Sequence, residues 1–354
     1  MSESEPNVWC LLGRKAGDNT QVLALAEALG WSFTEKHIRA RSWELLPHLL
    51  LGPTLAGIDC SESSELAAPW PDLVITAGRR NEPVARWIQR QAGGRTRLVH
   101  IGRPWAAPGA WDLIVTTPQY FLPEQPNILH NSLPLFAFDA GELAREAQVW
   151  KPQLSELPRP WLGVLVGGDS GKFVFTPEKA ARLGSWITSL AAKAGGSLLV
   201  ADSPRTPAAA SAALGSVLEP PHRHYTWGGE NPYRALLALA DGFVVTGESM
   251  SMLAEAAGTG KPLYIFDMGD WESAWWRQAH SWRTKPLSHH LAMALGPRRM
   301  RRDVGRIQSV LVDDGRARWL SESSDFEPGV ERSEVNDGEL AATAARVRQL
   351  FGSR

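Results

Sequence analysis

The stretch of this chain that decides its fold class is Val244-Val245-Thr246-Gly247-Glu248-Ser249-Met250-Ser251-Met252-Leu253-Ala254-Glu255-Ala256-Ala257-Gly258-Thr259-Gly260-Lys261-Pro262. It continues an apolar strand pattern that covers 242–246, and a turn rich in Gly and Ser then leads into a helix pattern over 249–258. Lys261-Pro262 ends the helical region, and another apolar strand pattern follows at 263–266. This order of elements is typical of a parallel α/β sheet, whose ligands bind at the carboxyl ends of the strands.

The turn inside this stretch has the chemistry of a phosphate site. Backbone N–H groups and the hydroxyls of Ser249 and Ser251 come together at the amino end of a helix, where an anion is favoured. Glu255 follows at least one turn later, where its carboxylate can accept hydrogen bonds from ribose hydroxyls. From these residues alone, the alternative is an ordinary helix cap with Glu255 in solvent.

Composition bounds the class of protein. The 354 residues are about twice a typical domain, and 44% apolar residues are enough for two cores. A net charge of −1 provides no general attraction to nucleic acid or anionic membranes. Cys10 and Cys60 are too few for a disulfide scaffold and fit a reducing compartment. With no signal-peptide pattern and no apolar run of membrane-spanning length, we expect a cytoplasmic protein.

The rest of the chain repeats the strand–loop–helix plan. Strand patterns occur at 8–12, 32–38, 72–76, 97–101 and 112–116, and again at 161–166, 197–201 and 222–225. A polar connector at 151–159 marks the domain boundary. The predicted fold class is therefore α/β, with two Rossmann-like domains at 1–150 and 160–335, each built on a parallel sheet. A helix at 338–354 is a candidate to cross back to the first domain.

Common nucleotide and metal motifs are absent. The segment GGDSGK at 167–172 is not a P-loop, because Val166 and Phe173 stand where that motif needs Gly and Ser or Thr. There is no H-E-x-x-H, no paired C-x-x-C and no D-x-D, so we expect no metal. An RNA-binding module is also missing, and we expect no nucleic-acid partner. Gly167 and Gly168 still allow a ligand to approach the backbone closely, although a tight turn alone would also explain them.

Two further segments leave alternatives open. After the first strand, Asp18 or Asn19 either caps the following helix or points into a cleft beside the positive charge of Lys15. One interpretation of the basic run Arg298–Arg306 is a solvated surface. The corresponding interpretation of the Trp-rich segment, with Trp275, Trp276 and Trp282, is that its rings fill the core. The alternative is a peripheral contact with acidic lipid headgroups of the inner membrane or with an anionic acceptor.

Four motifs together resemble the mitochondrial fission (elongated-mitochondria) family, which has bacterial members regarded as glycosyltransferases. They are GRKAGDNTQ at 13–21, GRR at 78–80, SPRTP at 203–207 and TGESMSM at 246–252. The resemblance extends over roughly residues 8–315, and the composition resembles a bacterial member. The two halves also resemble the GT-B glycosyltransferases, which implies that the two parallel sheets face each other across a cleft. Residues 255–262 are similar to the donor-binding helix of the peptidoglycan N-acetylglucosaminyltransferase, in which a Glu holds the ribose.

The resemblance implies a metal-independent, cofactor-free glycosyltransferase that moves a sugar from a nucleotide-sugar donor to a cell-envelope or lipid-linked glycan acceptor. The donor-binding residues it implies are Gly167, Gly168, Ser170, Lys172, Ser203, Arg205, Thr206, Gly247, Ser249, Met250, Ser251 and Glu255. Asp18 is then the general base, Lys15 and Arg79 orient an anionic group, and Asn19 contacts the acceptor. Two alternatives remain, namely a non-catalytic scaffold of the same fold and a nucleotide-sugar epimerase.

Overall fold

The computed structural model describes residues 5–41, 52–171, 173–268, 295, 301–327 and 336–352. The chain divides into two compact units. The first comprises Met1–Ala137, Pro297–Arg302 and Asn336–Arg354, and the second comprises Phe138–Gly296 and Asp303–Val335. Each unit contains a six-stranded sheet. All strand pairs are parallel, which confirms the predicted α/β class.

The sheet of the first unit has the order β2-β1-β3-β4-β5-β6. Its strands are β1 (Val8–Leu12), β2 (Phe33–His37), β3 (Leu73–Ala77), β4 (Arg97–Ile101), β5 (Leu113–Thr116) and β6 (Ile128–His130), with helices α1 (Ala16–Leu29) and α2 (Gly78–Gln91) and a 3-10 turn at Pro108–Ala110. Strand β1 is buried on both faces, because Cys10 packs in the core that contains α1 and Trp9 in the core that contains α2. The sequence of a strand that is buried on both faces is a continuous apolar run, and the sequence of β1 has this pattern.

The sheet of the second unit has the order β12-β11-β10-β7-β8-β9. Its strands are β7 (Trp161–Val166), β8 (Ser197–Asp202), β9 (His222–Tyr225), β10 (Gly242–Thr246), β11 (Leu263–Phe266) and β12 (Arg318–Trp319). Its helices are α3 (Ala140–Leu154), α4 (Pro177–Ala194), α5 (Ala208–Gly215), α6 (Tyr233–Leu239), α7 (Met250–Gly258) and α8 (Gly305–Asp313). Because β10, β7 and β8 are neighbours, the loops that follow these strands lie at one edge of the sheet.

Helix α3 belongs to the second unit, whereas the sequence placed it before the domain boundary. Its cap residue Asp139 accepts a hydrogen bond from the Glu142 amide (3.0 Å), and Glu142 forms an ion pair with Arg234 of α6. Trp150 meets the ring of Tyr225 edge to face, with centroids 5.4 Å apart. The division therefore lies near residue 137 and not in the polar connector at 151–159. The connector's polarity misled the prediction, since α3 packs on the helix and strand that come later in the chain.

The last helix, α9 (Asn336–Arg348), packs in the first unit. Val347 is fully buried in the core that contains α1. The Arg348 guanidinium donates to the carbonyls of Ala28 and Leu29 at 2.8 and 3.0 Å, at the carboxyl end of α1. A cation there also meets the negative end of the helix dipole.

The periodic patterns predicted most elements to within a few residues, but missed β6 and β12. These strands are three and two residues long, too short for an alternating pattern to be recognised. Residues 42–51 and 269–294, which include the Trp-rich segment, lie outside the described residues. None of the described helices is both long and apolar enough to cross a bilayer.

Candidate functional site

Three loops of the second unit meet at the carboxyl edge of its sheet. They follow the adjacent strands β10, β7 and β8. Most residues that the sequence assigned to the donor lie in these loops or just after them: Gly167, Gly168 and Ser170 after β7, Ser203, Arg205 and Thr206 after β8, and Gly247, Ser249, Met250 and Ser251 after β10. The structure thus brings together motifs that are about eighty positions apart, as the hydrogen bond between residues 168 and 248 shows.

Gly167 and Gly168 form a turn into which no side chain fits. A Cβ atom at Gly167 would fall on the carboxylate of Glu248, and one at Gly168 would fall on the backbone of Arg205. Gly168 also has a φ of +136°, which L side chains rarely adopt. The two loops therefore approach this turn closely because both positions are glycine. A tight turn alone would not require that close contact with neighbouring loops.

Hydroxyl groups fasten this turn to its neighbours. The Gly167 amide donates to Thr246 Oγ1 at 2.8 Å, and its carbonyl accepts from Thr206 Oγ1 at 2.7 Å and from Ser203 Oγ. Ser203 and Thr206 were predicted to bind the donor. In the structure both hydroxyls donate to the Gly167 carbonyl and hold the turn, and their contact with a donor stays a prediction.

Glu248 is the buried carboxyl group of the site, and the sequence analysis assigned it no role. Its side chain is enclosed, with 2% of the residue exposed. Oε1 accepts from the Gly168 amide at 2.6 Å and lies 3.3 Å from Arg205 Nη2. Oε2 is buried and has no hydrogen-bond partner among the described residues. Burial raises the pKa of Glu248, although the charge of Arg205 acts in the opposite direction.

This raised pKa predicts how stability changes with pH. The folded protein favours the protonated carboxyl, so ionisation favours the unfolded chain as pH rises above the ordinary pKa of 4.5. Gln at position 248 still accepts from Gly168 and never ionises. We therefore expect the unfolding free energy of Glu248→Gln minus that of wild type to be more positive at about pH 8 than at about pH 4. Urea unfolding at both pH values measures this. Glu27→Gln, an exposed change, is the control; an identical difference at both pH values for Glu248→Gln would contradict the prediction.

Arg205 places a positive charge beside the amino end of α7. Its Nη2 donates to Ser249 Oγ at 3.0 Å, and its side chain is 32% exposed. Ser249 is the N-cap residue of α7, but its side chain makes no capping hydrogen bond. The first amides of an α-helix have no partner within the helix. A cation that reaches solvent next to such a helix end is suited to bind an anion.

Two residues predicted to contact the donor are enclosed in the protein. The Gly247 amide donates to Phe266 O at 2.9 Å, and the Gly247 carbonyl accepts from Gln308 Nε2 at 2.7 Å. Met250 is only 5% exposed. The amide and the carbonyl of Gly247 are already bonded to β11 and α8, and the apolar side chain of Met250 is buried. The amino end of α7 is consequently more enclosed than its sequence suggested.

The other predicted donor residues differ in position. Ser251 lies half-buried in the first turn of α7. Ser170 is held by a pair of backbone hydrogen bonds with Phe173, at 3.0 and 2.9 Å, and is also half-buried. Lys172 lies outside the described residues. Of the two cationic residues predicted to bind the donor, Lys172 and Arg205, the structure therefore describes Arg205.

Glu255 lies in the second turn of α7 and is not simply exposed to solvent. Its Oε2 accepts a hydrogen bond of 2.7 Å from the hydroxyl of Tyr233, at the start of α6. Burial raises the pKa of both groups. The structure excludes the solvent alternative and adds Tyr233, which the sequence analysis missed because its partner lies 22 positions away.

In the first unit, Asp18 lies in the first turn of α1. Its carboxylate is 3.7 Å from Lys15 Nζ, and its side chain is one-third exposed. A Cβ atom at Gly78, which has a φ of +71°, would stand 2.7 Å from Asp18 Oδ2, so the absence of a side chain at Gly78 makes room for the carboxylate. The cap alternative for Asp18 is wrong, because Lys15 is the N-cap residue and makes no side-chain capping bond.

Asn19 holds the loop after β1. Its side chain accepts from the Gly13 amide at 2.9 Å and donates to the Gly13 carbonyl at 2.8 Å. Both ends of the amide group bond to the loop, so Asn19 has a local structural role, and its contact with an acceptor stays a prediction. Arg79 is half-buried, with its guanidinium 4.8 Å from the centre of the Trp105 ring.

Metal and membrane predictions concern residues that the structure describes only in part. Within the described ranges, no group of three His, Cys, Asp or Glu residues is arranged to hold a metal ion. Of the basic run, Arg298 and Arg299 lie outside the described residues, as do Trp275, Trp276 and Trp282. Independence from metal and contact with a membrane both stay predictions.

Comparison with known proteins identifies relatives along most of the chain. The model of the family described as mitochondrial fission ELM1 matches residues 16–343. The mitochondrial fission protein ELM1 of Arabidopsis thaliana is 27% identical over 219 residues, which are 55% of this chain and 51% of that protein. An uncharacterized protein of Rickettsia prowazekii is 23% identical over 300 residues, 73% of this chain and 83% of the relative. The match thus spans about half the length of the Arabidopsis protein.

Among solved structures, the UDP-GlcNAc 2-epimerase of Methanocaldococcus jannaschii is similar to this chain. The TM-score is 0.52 at 10% identity, and the similarity covers 97% of this chain and 99% of the epimerase. At this identity the similarity concerns the fold. Together with the two parallel sheets, it confirms the predicted GT-B fold class.

Proposed function

The chain belongs to the mitochondrial fission ELM1 family, and from its second unit we propose that it is a glycosyltransferase that uses a nucleotide-sugar donor. The acceptor in this proposal is a cell-envelope or lipid-linked glycan, and no metal takes part. The observation that carries the proposal is Arg205, whose guanidinium is held by Ser249 and Glu248 beside the amino end of α7.

The diphosphate of the donor is the anion that this arrangement fits. Arg205 neutralises part of its charge with donors in a fixed planar geometry, which suits phosphate oxygens. The helix dipole of α7 adds partial positive charge. The glycines at 167 and 168 let the loop after β8 pack against the loop after β7, and this close approach brings Arg205 beside Ser249.

The ribose of the donor is assigned to the pair formed by Glu255 and Tyr233. The 2.7 Å hydrogen bond between them holds the carboxyl in one orientation. Because the Tyr233 hydroxyl donates its proton to Glu255, the pair presents acceptor oxygens, to which the vicinal hydroxyls of a ribose can donate.

Transfer itself needs a base for the acceptor, and the proposal assigns this role to Asp18. The acceptor hydroxyl gives its proton to the Asp18 carboxylate while its oxygen forms a bond to the anomeric carbon. The bond from that carbon to the diphosphate breaks, and the nucleoside diphosphate leaves with the electron pair. Arg205 and the amino end of α7 stabilise the charge that develops on this leaving group.

Calorimetric titration with UDP, GDP and ADP tests the donor site. We expect one of the three to bind wild type, and Arg205→Gln to raise its Kd by about tenfold, because a charge-assisted hydrogen bond is lost. The matched control is Arg223→Gln, which removes an exposed arginine from β9 and should leave Kd unchanged.

The same material separates the other candidate functions. If none of these nucleotides, and no nucleotide-sugar, binds wild type, the donor site is refuted and a scaffold is favoured. If a nucleotide-sugar is consumed without an acceptor and an epimeric sugar appears in product analysis, the reaction is epimerisation. The fold is shared with a UDP-GlcNAc 2-epimerase, so product analysis is required to assign the reaction.

A further inference from the structure

Three arginines of the first unit converge on two aromatic rings at the carboxyl edge of its sheet. Arg79, in the first turn of α2, lies 4.8 Å from the ring centre of Trp105. Arg103, which follows β4, and Arg302 lie 5.5 and 6.0 Å from the ring centre of Tyr120. Arg79, Arg103 and Arg302 are called the guanidinium cluster below. Each is half-buried, so the cluster is neither core nor open surface.

Hydrogen bonds orient two members of this cluster. Arg103 Nη1 donates to the backbone carbonyl of Arg301 at 3.0 Å. Arg302 Nε donates to Gln119 Oε1 at 2.9 Å, and Gln119 Nε2 donates to Thr117 Oγ1 at 3.0 Å. Because Gln119 is only 4% exposed, the orientation of Arg302 is determined from inside the protein. The side chains are therefore arranged before any ligand arrives.

The ring beneath Arg79 is also fixed. Glu82, one turn further along α2, is fully buried and accepts hydrogen bonds from the amides of Trp105 and Ala106, both at 2.7 Å. This carboxylate holds the loop that carries Trp105. Stacking on the ring then limits the directions in which the Arg79 guanidinium can point.

Electrostatics at the cluster favour an anion. Burial lowers the pKa of Arg103, the charges of Arg302 and Arg79 lower it further, and Tyr120 acts in the opposite direction. Like charges held this close repel one another, and a bound anion relieves that repulsion. The amino end of helix α2 also favours an anion, because it carries partial positive charge. Its first turn has no acidic residue, and its N-cap residue Ala77 provides no side-chain cap.

We propose that the guanidinium cluster is a binding site for the phosphate or diphosphate group of a ligand, separate from the donor site in the second unit. Three planar guanidinium groups match phosphate oxygens better than any single cation does. The aromatic rings keep the groups in place and exclude water from one side of each. The ligand is a phosphate ester, carried either by a soluble molecule or by a lipid.

Chemical labelling with arginine-specific phenylglyoxal, read by peptide mass spectrometry, tests the site residue by residue. We expect inorganic pyrophosphate to slow modification of Arg79, Arg103 and Arg302 by about tenfold, as expected for a site occupied nine-tenths of the time. Arg223 is the internal control and should be modified at the same rate with and without pyrophosphate. Equal rates at the cluster, or protection limited to Arg205, would overturn the proposal.

Binding of pyrophosphate to variants provides an independent measure. Arg103→Gln should raise Kd by about tenfold and Arg103→Lys by less, because Lys keeps the charge but not the planar group. If Arg103→Gln does not fold, Arg79→Gln tests the same site from the first turn of α2. Arg205→Gln should leave protection of the cluster intact, so failure of the donor site and failure of this site are distinguishable.

Vesicle sedimentation separates the two sources of phosphate. Wild type is mixed with phosphatidylcholine vesicles with and without phosphatidic acid. Sedimentation that requires phosphatidic acid and is lost in Arg103→Gln assigns the site to a lipid phosphate. Binding of pyrophosphate without sedimentation assigns it to a soluble phosphate ester, and binding of neither refutes the site.

Discussion

Gly168→Ala is expected to raise the Kd of the bound nucleotide by about tenfold, as much as the loss of the Arg205 guanidinium itself, which corresponds to roughly 1.4 kcal/mol. Alanine at this position needs a φ of +136°, and its Cβ would fall on the backbone of Arg205. Strained backbone and overpacking each cost on the order of 1–3 kcal/mol. The loop after β8 has to move away, and it carries the Arg205 guanidinium away from Ser249. Calorimetry with the nucleotide that binds wild type measures the loss.

Gly171→Ala is the matched control for this change. Gly171 also has a positive φ, +61°, but a Cβ atom there would meet nothing within 4 Å. The substitution therefore introduces backbone strain of about 1 kcal/mol without displacing a neighbouring loop. We expect it to lower the melting temperature slightly and to leave Kd unchanged. Equal losses of affinity in both variants would show that the close approach at Gly168 is not what matters.

Asp18→Asn is expected to lower the rate of sugar transfer by roughly two to four orders of magnitude, the usual contribution of a general base. Asparagine has nearly the same shape, so it should occupy the space beside Gly78, but it does not accept the proton. The Kd of the nucleotide should be unchanged, because the donor is assigned to the second unit. Turnover of a labelled nucleotide-sugar and calorimetry on the same preparation measure the two quantities.

Glu27→Gln provides the comparison for Asp18. Glu27 lies on the same helix, is exposed, and loses the same charge on substitution. It should transfer sugar at the wild-type rate. Unchanged turnover in Asp18→Asn would remove Asp18 from the role of base. A parallel drop in melting temperature and turnover would point to damage of α1, where Asp18 pairs with Lys15.

Local sequence patterns were sufficient for most elements because each element is a local property. The apolar run at 242–246 and the cap and proline at Thr176 and Pro177 define a strand and a helix start that the structure reproduces. The domain boundary was harder, since α3 joins the second unit through contacts with residues more than seventy positions later. Polarity of the connector carried no information about those contacts.

The candidate site was predictable in its position but not in the roles of its members. Gly–Gly after one strand and Gly, Ser and Thr after two others predicted that these three loops form a site at one edge of the sheet. Ser203 can contact either a ligand or Gly167, and the choice depends on which loop lies beside Ser203. Glu248 lies within the TGESMSM segment, but no role could be assigned to it from sequence, because its role depends on contact with the Gly168 amide and Arg205.

By itself, the sequence determined the α/β class, the succession of strands and helices, and the kinds of side chain available after each strand. These follow from hydrophobic period and turn chemistry, which depend on residues a few positions apart. Only the tertiary structure decided that β10, β7 and β8 are neighbours. That order sets which loops touch, and therefore which hydroxyls, carboxyls and guanidinium groups are used inside the protein and which reach solvent. The physical reason is that strand order depends on the packing of both faces of a sheet, a property of the whole unit and not of any one segment.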